Sequence, residues 1–289
     1  MSTITNIVFL LLIFAKAAIA HQPVMNIGPD DEFGIGFQIT QEYFGSSSLL
    51  KGEGEVENPN KLKTHINNTW YEGVLGFKGG NKLTFKLPYT QKSRVKDSSG
   101  GVLKQKNSGF ADLELAYSFR YYRKLSGYHD YFAVTPLLRL PTGSDAGDLP
   151  LSDGSADVGL SLSYHGDSAL FYHFYDLFFW KNNQGVRGMR EGNEIGFDFN
   201  WGYRTFHHPV TNSGVFIMLD SKLRHNDSPN AATLTEAEGG SLALAGPALV
   251  FYKKNIIFRA EYNYPFYEKK YGSGIAHGDQ INIKVGMVF

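Results

Sequence analysis

The sequence predicts an all-β protein, a transmembrane antiparallel up-and-down β-barrel of about 12 strands. Three observations carry that prediction. Apolar and polar residues alternate with period 2 from end to end, while helical spacing is almost absent. Aromatics make up 15 % of the 289 residues and Gly numbers 32, a mixture suited to many strands joined by glycine-containing turns. Connections between successive strands are alternately long and short, as expected of a barrel whose two rims face different compartments.

The chain opens with an apolar run from Ile7 to Ala15, followed by Ala18-Ile19-Ala20, the small-x-small pattern of a signal-peptidase site. That run is short for a bilayer, which needs roughly 20 apolar residues. Residues 1–20 are therefore expected to be a cleaved signal peptide and residues 21–289 the barrel domain, exported to the cell outer membrane.

The strands follow in order. Phe33, Ile35, Phe37 and Ile39 share one face of the first; Tyr71, Leu75 and Phe77 share one face of the second. KGGN (78–81) then turns the chain into KLTFKLPYT, where Leu83, Phe85, Leu87 and Tyr89 oppose Lys82, Thr84 and Lys86. Leu113, Leu115, Tyr117, Phe119 and Tyr121 alternate with Asp112, Glu114 and Arg120; Phe132, Val134, Leu138 and Leu140 oppose Thr135 and Arg139. Val158, Leu160 and Leu162 face away from Asp157, Ser161 and Ser163. The stretch ALFYHFYDLFFW is apolar on both faces, so its parity stays open. Ile195, Phe197, Phe199 and Trp201 oppose Glu194, Asp198 and Arg204, and Val215, Ile217 and Leu219 lead to a polar end at Asp220 and Lys222. SLALAGPALVFY is made irregular by Pro247. In the last two strands Phe258 and Tyr262 oppose Arg259 and Glu261, and Ile281, Ile283, Val285, Met287 and Phe289 oppose Asn282 and Lys284. Segments 45–66, 91–109, 142–154, 182–192, 225–239 and 268–278 read as the long connections.

A soluble β-sandwich also alternates polar with apolar residues. Strands long enough to cross a bilayer at a tilt favour the membrane, as do aromatics at the ends of the apolar faces (Tyr43, Tyr89, Tyr121, Tyr164, Tyr203, Tyr252, Tyr264). So do charges of both signs on nearly every polar face, which a dry core could not hold unpaired. Asp112, Glu114, Arg120, Arg139, Asp157, Glu194, Asp198, Arg204, Arg259 and Glu261 are the candidates to line a wet lumen. A ladder of salt bridges stiffening the wall is the first expectation for them, substrate contact the second.

Composition excludes several classes. There is no Cys, so neither a disulfide frame nor a thiol nucleophile exists, and the net charge of zero offers no field for nucleic acid. No cofactor or metal is expected. His207 and His208 are adjacent and suit a turn, and His173 reads as packed. Gly272, Gly274 and Gly278 lack the strand-to-helix setting of a phosphate loop. His225, Asp227 and Ser228 make the nearest approach to a hydrolase constellation, but a Pro follows and the spacing is wrong for one strand face. Segment 91–109 carries Lys92, Arg94, Lys96, Lys104 and Lys106 against Asp97, a cationic set for lipopolysaccharide phosphates or plain solvation.

Two blocks carry a family resemblance. FADLELAYSFRYYRK, preceded by Gly109, leads through FAVTPLLRLPTG to SADVGLSLSY; Gly109, Asp112, Leu113 and Leu115 are followed by the Leu140-Pro141-Thr142-Gly143 turn. With the closing block from GGSLALAGPALVFY to INIKVGMVF, this resembles the outer-membrane transporter family known as the meta-pathway phenol degradation family. The resemblance implies a barrel and the movement of aromatic or other hydrophobic small molecules. The ending is also similar to the carboxy-terminal signature of Gram-negative outer-membrane barrels. It implies that Phe289, Met287 and Val285 are read by the barrel-assembly machinery. The function expected is passive passage of small molecules, with outer-membrane lipid and lipopolysaccharide as surroundings. An adhesin or structural barrel acting through its outer loops is the alternative, and a phospholipase-like hydrolase the second.

Overall fold

A computed structural model of the chain describes residues 34–98, 101–125, 128–146, 149–186, 190–228 and 239–289. The signal peptide expected at residues 1–20 lies outside them, as do Phe33 and part of 225–239. In chain order the strands are β1 (Ile35–Ser46), β2 (Leu49–Lys51), β3 (Gly54–Val56), β4 (Lys63–Gly76), β5 (Lys82–Ser98), β6 (Gly101–Phe110), β7 (Leu113–Leu125) and β8 (Tyr128–Leu140). They continue as β9 (Asp157–Ser168), β10 (Phe171–Lys181), β11 (Glu194–His208), β12 (Ser213–Asn226), β13 (Gly240–Lys253), β14 (Ile256–Lys270), β15 (Ser273–Ile275) and β16 (Gln280–Val288).

Twelve of these close into a ring, each pairing antiparallel with its neighbours: β1, β4, β5, β7 to β14, and β16 back to β1. The seam is β1 against β16, from Gly36 opposite Val288 to Phe44 opposite Gln280. Beyond the ladder, Phe289 donates its backbone N–H to Ile35 O at 2.7 Å and receives Ile35 N–H at 3.1 Å. Closure gives every ring strand a neighbour on both sides, the requirement for backbone polar groups in hydrocarbon, while β6 pairs with β5 alone.

The turn at 78–81 is tight because Gly79 and Gly80 take φ of 76° and 77°, left-handed values that a Cβ would strain. On the same rim the chain reverses at 209–212 and 254–255, while the opposite rim carries the long connections. Segment 91–109, expected as a loop, is instead a continuation of the ladder. β5 runs to Ser98 and β6 pairs with its far half, from Tyr89 opposite Phe110 to Ser98 opposite Gly101. β7 then takes the near half, Lys82 to Lys86. Alternation at 91–109 is polar on both faces, so its period carried no hydrophobic signal. Segment 45–66, also expected as a loop, contains β2 and β3, which join β15 in a three-stranded sheet of their own.

Exposure follows parity around the ring. On β14, Phe258 is 39 % exposed while Arg259 is 2 %; on β16, Ile281, Ile283, Val285 and Met287 are exposed while Asn282 is buried. β10 resolves the same way, with Phe171, Leu177 and Phe179 outward and Tyr172 and Trp180 inward. Roughly forty large apolar side chains stay exposed on this barrel. At about 1 kcal/mol each for half-exposed chains, that surface in water would forfeit tens of kcal/mol, more than the margin of a soluble fold. Lipid on the outside would remove that deficit.

One aromatic departs from the expected outer girdle. Tyr252 is buried inside the wall, because β13 sends Leu249 and Phe251 outward despite Pro247, and Tyr252 therefore falls on the inner parity. Its hydroxyl meets His207 Nδ1 at 2.8 Å, beside the irregularity in β11 between Arg204 and Phe206.

Candidate functional site: the inner wall

The inner face divides into two tiers. Nearer the long-connection rim the wall is charged. Arg139 on β8 lies directly across from Glu114 on β7 and Asp157 on β9, at 3.2 and 3.6 Å, and its guanidinium covers the Trp180 ring at 4.5 Å. Asp157 also receives Ser155 Oγ–H at 2.7 Å and the Asn183 N–H at 2.8 Å. Arg224 on β12 joins Glu194 (3.4 Å) and Asp198 (2.6 Å) of β11 and covers Phe178 at 4.7 Å. The most buried group lies lower, between β12 and β16 and level with Ala248 and Val250: Arg259 pairs with both Asp220 and Glu261, and Glu261 also holds Lys284 at 2.6 Å and Asn282 Nδ2 at 2.9 Å.

Across β10 to β14, toward the short-turn rim, aromatic and apolar side chains fill the wall beside these charges. Tyr172, Phe216, Met218, Ala248, Val250, Tyr252 and Ile257 form one buried cluster across β10 to β14. Arg120 covers Tyr131 at 4.4 Å; Tyr131 stacks on His165, which leans on Tyr172. Arg204 covers Phe216 at 4.7 Å and reaches Asp167 at 3.7 Å. Four arginines thus each lie over an inward ring, a cation–π contact that strengthens where water is thin.

Nine of the ten candidates from the sequence, all but Asp112, belong to these two tiers. Asp112 sits at the break between β6 and β7, where its carboxylate accepts Gly143 N–H (3.0 Å) and Ser152 Oγ–H (2.8 Å). Beside it Thr142 Oγ accepts Leu113 N–H at 2.9 Å and donates to Ala111 O at 3.1 Å. Asp112 and the Leu140-Pro141-Thr142-Gly143 turn, far apart in sequence, are therefore one clasp. It holds the segment from Leu149 to Ser155, which is largely buried against the inner side of the β5–β6 hairpin. Lys92 Nζ donates to Pro150 O and Asn107 Nδ2 to Leu149 O, both at 2.9 Å. The long connection after β8 is in this way folded onto the wall at its mouth.

Asp167, Phe178, Trp180, Asp220, Arg224 and Lys284 were absent from the candidate set, although each completes one of these contacts. Parity placed Lys284 and Asp220 on polar faces, but pairing depends on register between strands, which no single strand encodes. Asp198 shows why: its opposite residue is Lys222, yet it bonds Arg224, two residues on.

The hydrolase constellation is not assembled. His225 Nδ1 bonds Ser241 Oγ at 2.9 Å and Nε2 bonds Tyr271 OH at 3.2 Å, while Asp227 receives Asn193 Nδ2 at 3.2 Å. His208 serves its turn, bonding Thr211 Oγ at 3.0 Å, and His173 packs between Tyr164 and Tyr175, each 5.5 Å away.

No protein-family model matches the chain, and no curated protein matches it. Among solved structures it is similar to the COG4313 outer membrane channel from Pseudomonas putida F1, with 16 % identity and a TM-score of 0.68 over 90 % of this chain and 96 % of that one. It also aligns with the beta domain of the Bordetella autotransporter BrkA (12 % identity, TM-score 0.46, 90 % and 100 % covered) and a Pseudomonas aeruginosa FadL homologue (7 %, 0.44, 89 % and 90 %). The first likeness is one of fold. Together with the ring itself it defines the class: a closed, antiparallel, twelve-stranded β-barrel, apolar outside and polar within.

Proposed function

We propose that the chain is an outer-membrane channel passing small molecules, hydrophobic and aromatic ones among them, through its lumen by diffusion. The observation that carries this reading is the division of the wall. Lipid accepts the apolar outside, and charges of both signs collected within suit a wet lumen. Salt bridges on the inner wall offset most of its charge locally, so a neutral solute meets little net field. Resemblance of two sequence blocks to the phenol degradation family points to the same solutes. On this reading no chemistry occurs at the wall, the signal peptide is cleaved after Ala20, and the barrel-assembly machinery reads Val285, Met287 and Phe289.

Liposome swelling tests the reading. Vesicles carrying the refolded protein should swell in small aromatic solutes and small sugars and not in large oligosaccharides. A protein that stays dissolved without detergent would contradict it.

A further inference from the structure

The outer face of β1, β4, β5 and β6 differs from the rest of the ring. Its register is unbroken: Gln41 lies beside Thr69 on β1–β4, which lies across from Tyr89, which lies across from Phe110. Tyr71 and Tyr89 pack on Phe110 at 6.4 and 5.4 Å, forming an aromatic edge to the apolar band. Two residues further toward the long-connection rim come Asn67, Gln91 and Ser108; then His65, Ser93 and Lys106; then Lys63, Val95 and Lys104. Each step is about 6.7 Å along a strand, so the lysines stand roughly 13–20 Å beyond the Phe110 ring.

Lys63, Lys104 and Lys106 are exposed and make no ion pair among the described residues, while Asp97, the acidic residue of this hairpin, is taken by Lys61 at 3.6 Å. Below them, a surface cleft of about 460 Å³ is lined by His65, Asn67, Gln91, Ser93, Lys106 and Ser108. The lower polar groups are satisfied among themselves: Gln41 bonds Asn67, and Thr69 Oγ–H donates to Gln41 at 2.9 Å. The cations above have no such partners.

We infer that this outer face binds the phosphorylated headgroup of a lipid A molecule in the outer leaflet, with Lys63, Lys104 and Lys106 on its phosphates and the hydroxyl and amide groups of the cleft on its sugars. The inference rests on the outer-membrane reading above. Three adjacent cations with no ion pair among the described residues stand beyond an interfacial aromatic edge, at the outer side of the headgroup layer, and their flexible stems reach back toward it; each lysine near an anionic surface adds about 1 kcal/mol, or roughly fivefold in affinity.

The test is native mass spectrometry of the detergent-solubilised full barrel titrated with bisphosphorylated lipid A, dephosphorylated lipid A and inorganic phosphate. The unaltered protein should retain bisphosphorylated lipid A. K63Q/K104Q/K106Q should bind it at least about tenfold more weakly while keeping heat-modifiable migration, and K63R/K104R/K106R should bind as the unaltered protein does. Equal retention of the dephosphorylated lipid, or no loss in the glutamine variant, overturns the inference. Competition by millimolar phosphate assigns the site to a free anion and overturns it too. Because binding is read in detergent, its failure is separate from failure of the membrane reading, which insertion into phosphatidylcholine vesicles reports independently.

Discussion

Single residues decide whether this wall holds. Arg259 stands between Asp220 and Glu261 with all three buried. Taking away the cation leaves two buried carboxylates facing one another, with Lys284 as the remaining ion-pair partner of Glu261. Arg259→Met should therefore cost roughly 3–5 kcal/mol, read as a lower urea midpoint in detergent, and adding Asp220→Asn and Glu261→Gln should recover most of it. If the single variant unfolds at the midpoint of the unaltered protein, the pairing carries no weight. Asp112 predicts a different effect, since it holds a segment and not a strand. Asp112→Ala frees Gly143 and Ser152, so conductance should rise while the urea midpoint moves by about 1 kcal/mol or less. At this scale the inward face was readable by parity: Arg259, Glu261, Asp157 and Arg139 alternate with outward apolar residues. Asp220 beside Arg259, Arg224 beside Glu194 and Asp198, and Asp167 beside Arg204 were not in the candidate set, because a contact between strands is set by register and by diagonal reach.

Elements were legible where one face was apolar and obscure where both faces were alike. β14 from Phe258 to Asn263 and β16 from Gln280 to Met287 alternate so that their faces follow from the letters, with apolar Ile257 and Val288 the inward exceptions at the short-turn end. β10 is apolar on both sides because its inner face supplies rings to the arginines, and the polar hairpin of β5 and β6 is concealed for the opposite reason. The small sheet of β2, β3 and β15 had no periodicity to show at three residues per strand. It is held by Asn58, whose side chain donates to Ser47 O at 2.7 Å and to Leu62 O at 2.9 Å, and by Ala276 N–H to Ser48 O at 2.9 Å. Next to it His277 stacks on Phe44 at 4.8 Å. Burial holds its imidazole below the usual value of 6.5, against an opposing hydrogen bond to Gly278 O. A histidine held neutral stabilises its surroundings above its unfolded pKa, and that contribution is lost as pH falls below about 6.5. Amide exchange in 47–56 and 273–276 should accordingly quicken between pH 7 and pH 5 after correction for intrinsic rates, and His277→Phe should remove the pH dependence. An unchanged profile in that variant would assign the effect elsewhere.

The whole molecule follows from one inequality. A ring of strands satisfies its own backbone, leaves an apolar outside that water would penalise by tens of kcal/mol, and collects its charges within. Fold class was legible in the sequence because that division is written as period-2 alternation. The inner wall is less so, since its rings and clasped mouth exist only once strands are in register. The measurement that bears most directly is planar-bilayer recording of the refolded, heat-modifiable protein. Discrete conductance steps are predicted, larger in Asp112→Ala than in the unaltered protein. A folded barrel that inserts into the bilayer and passes no current in either form would contradict the channel reading.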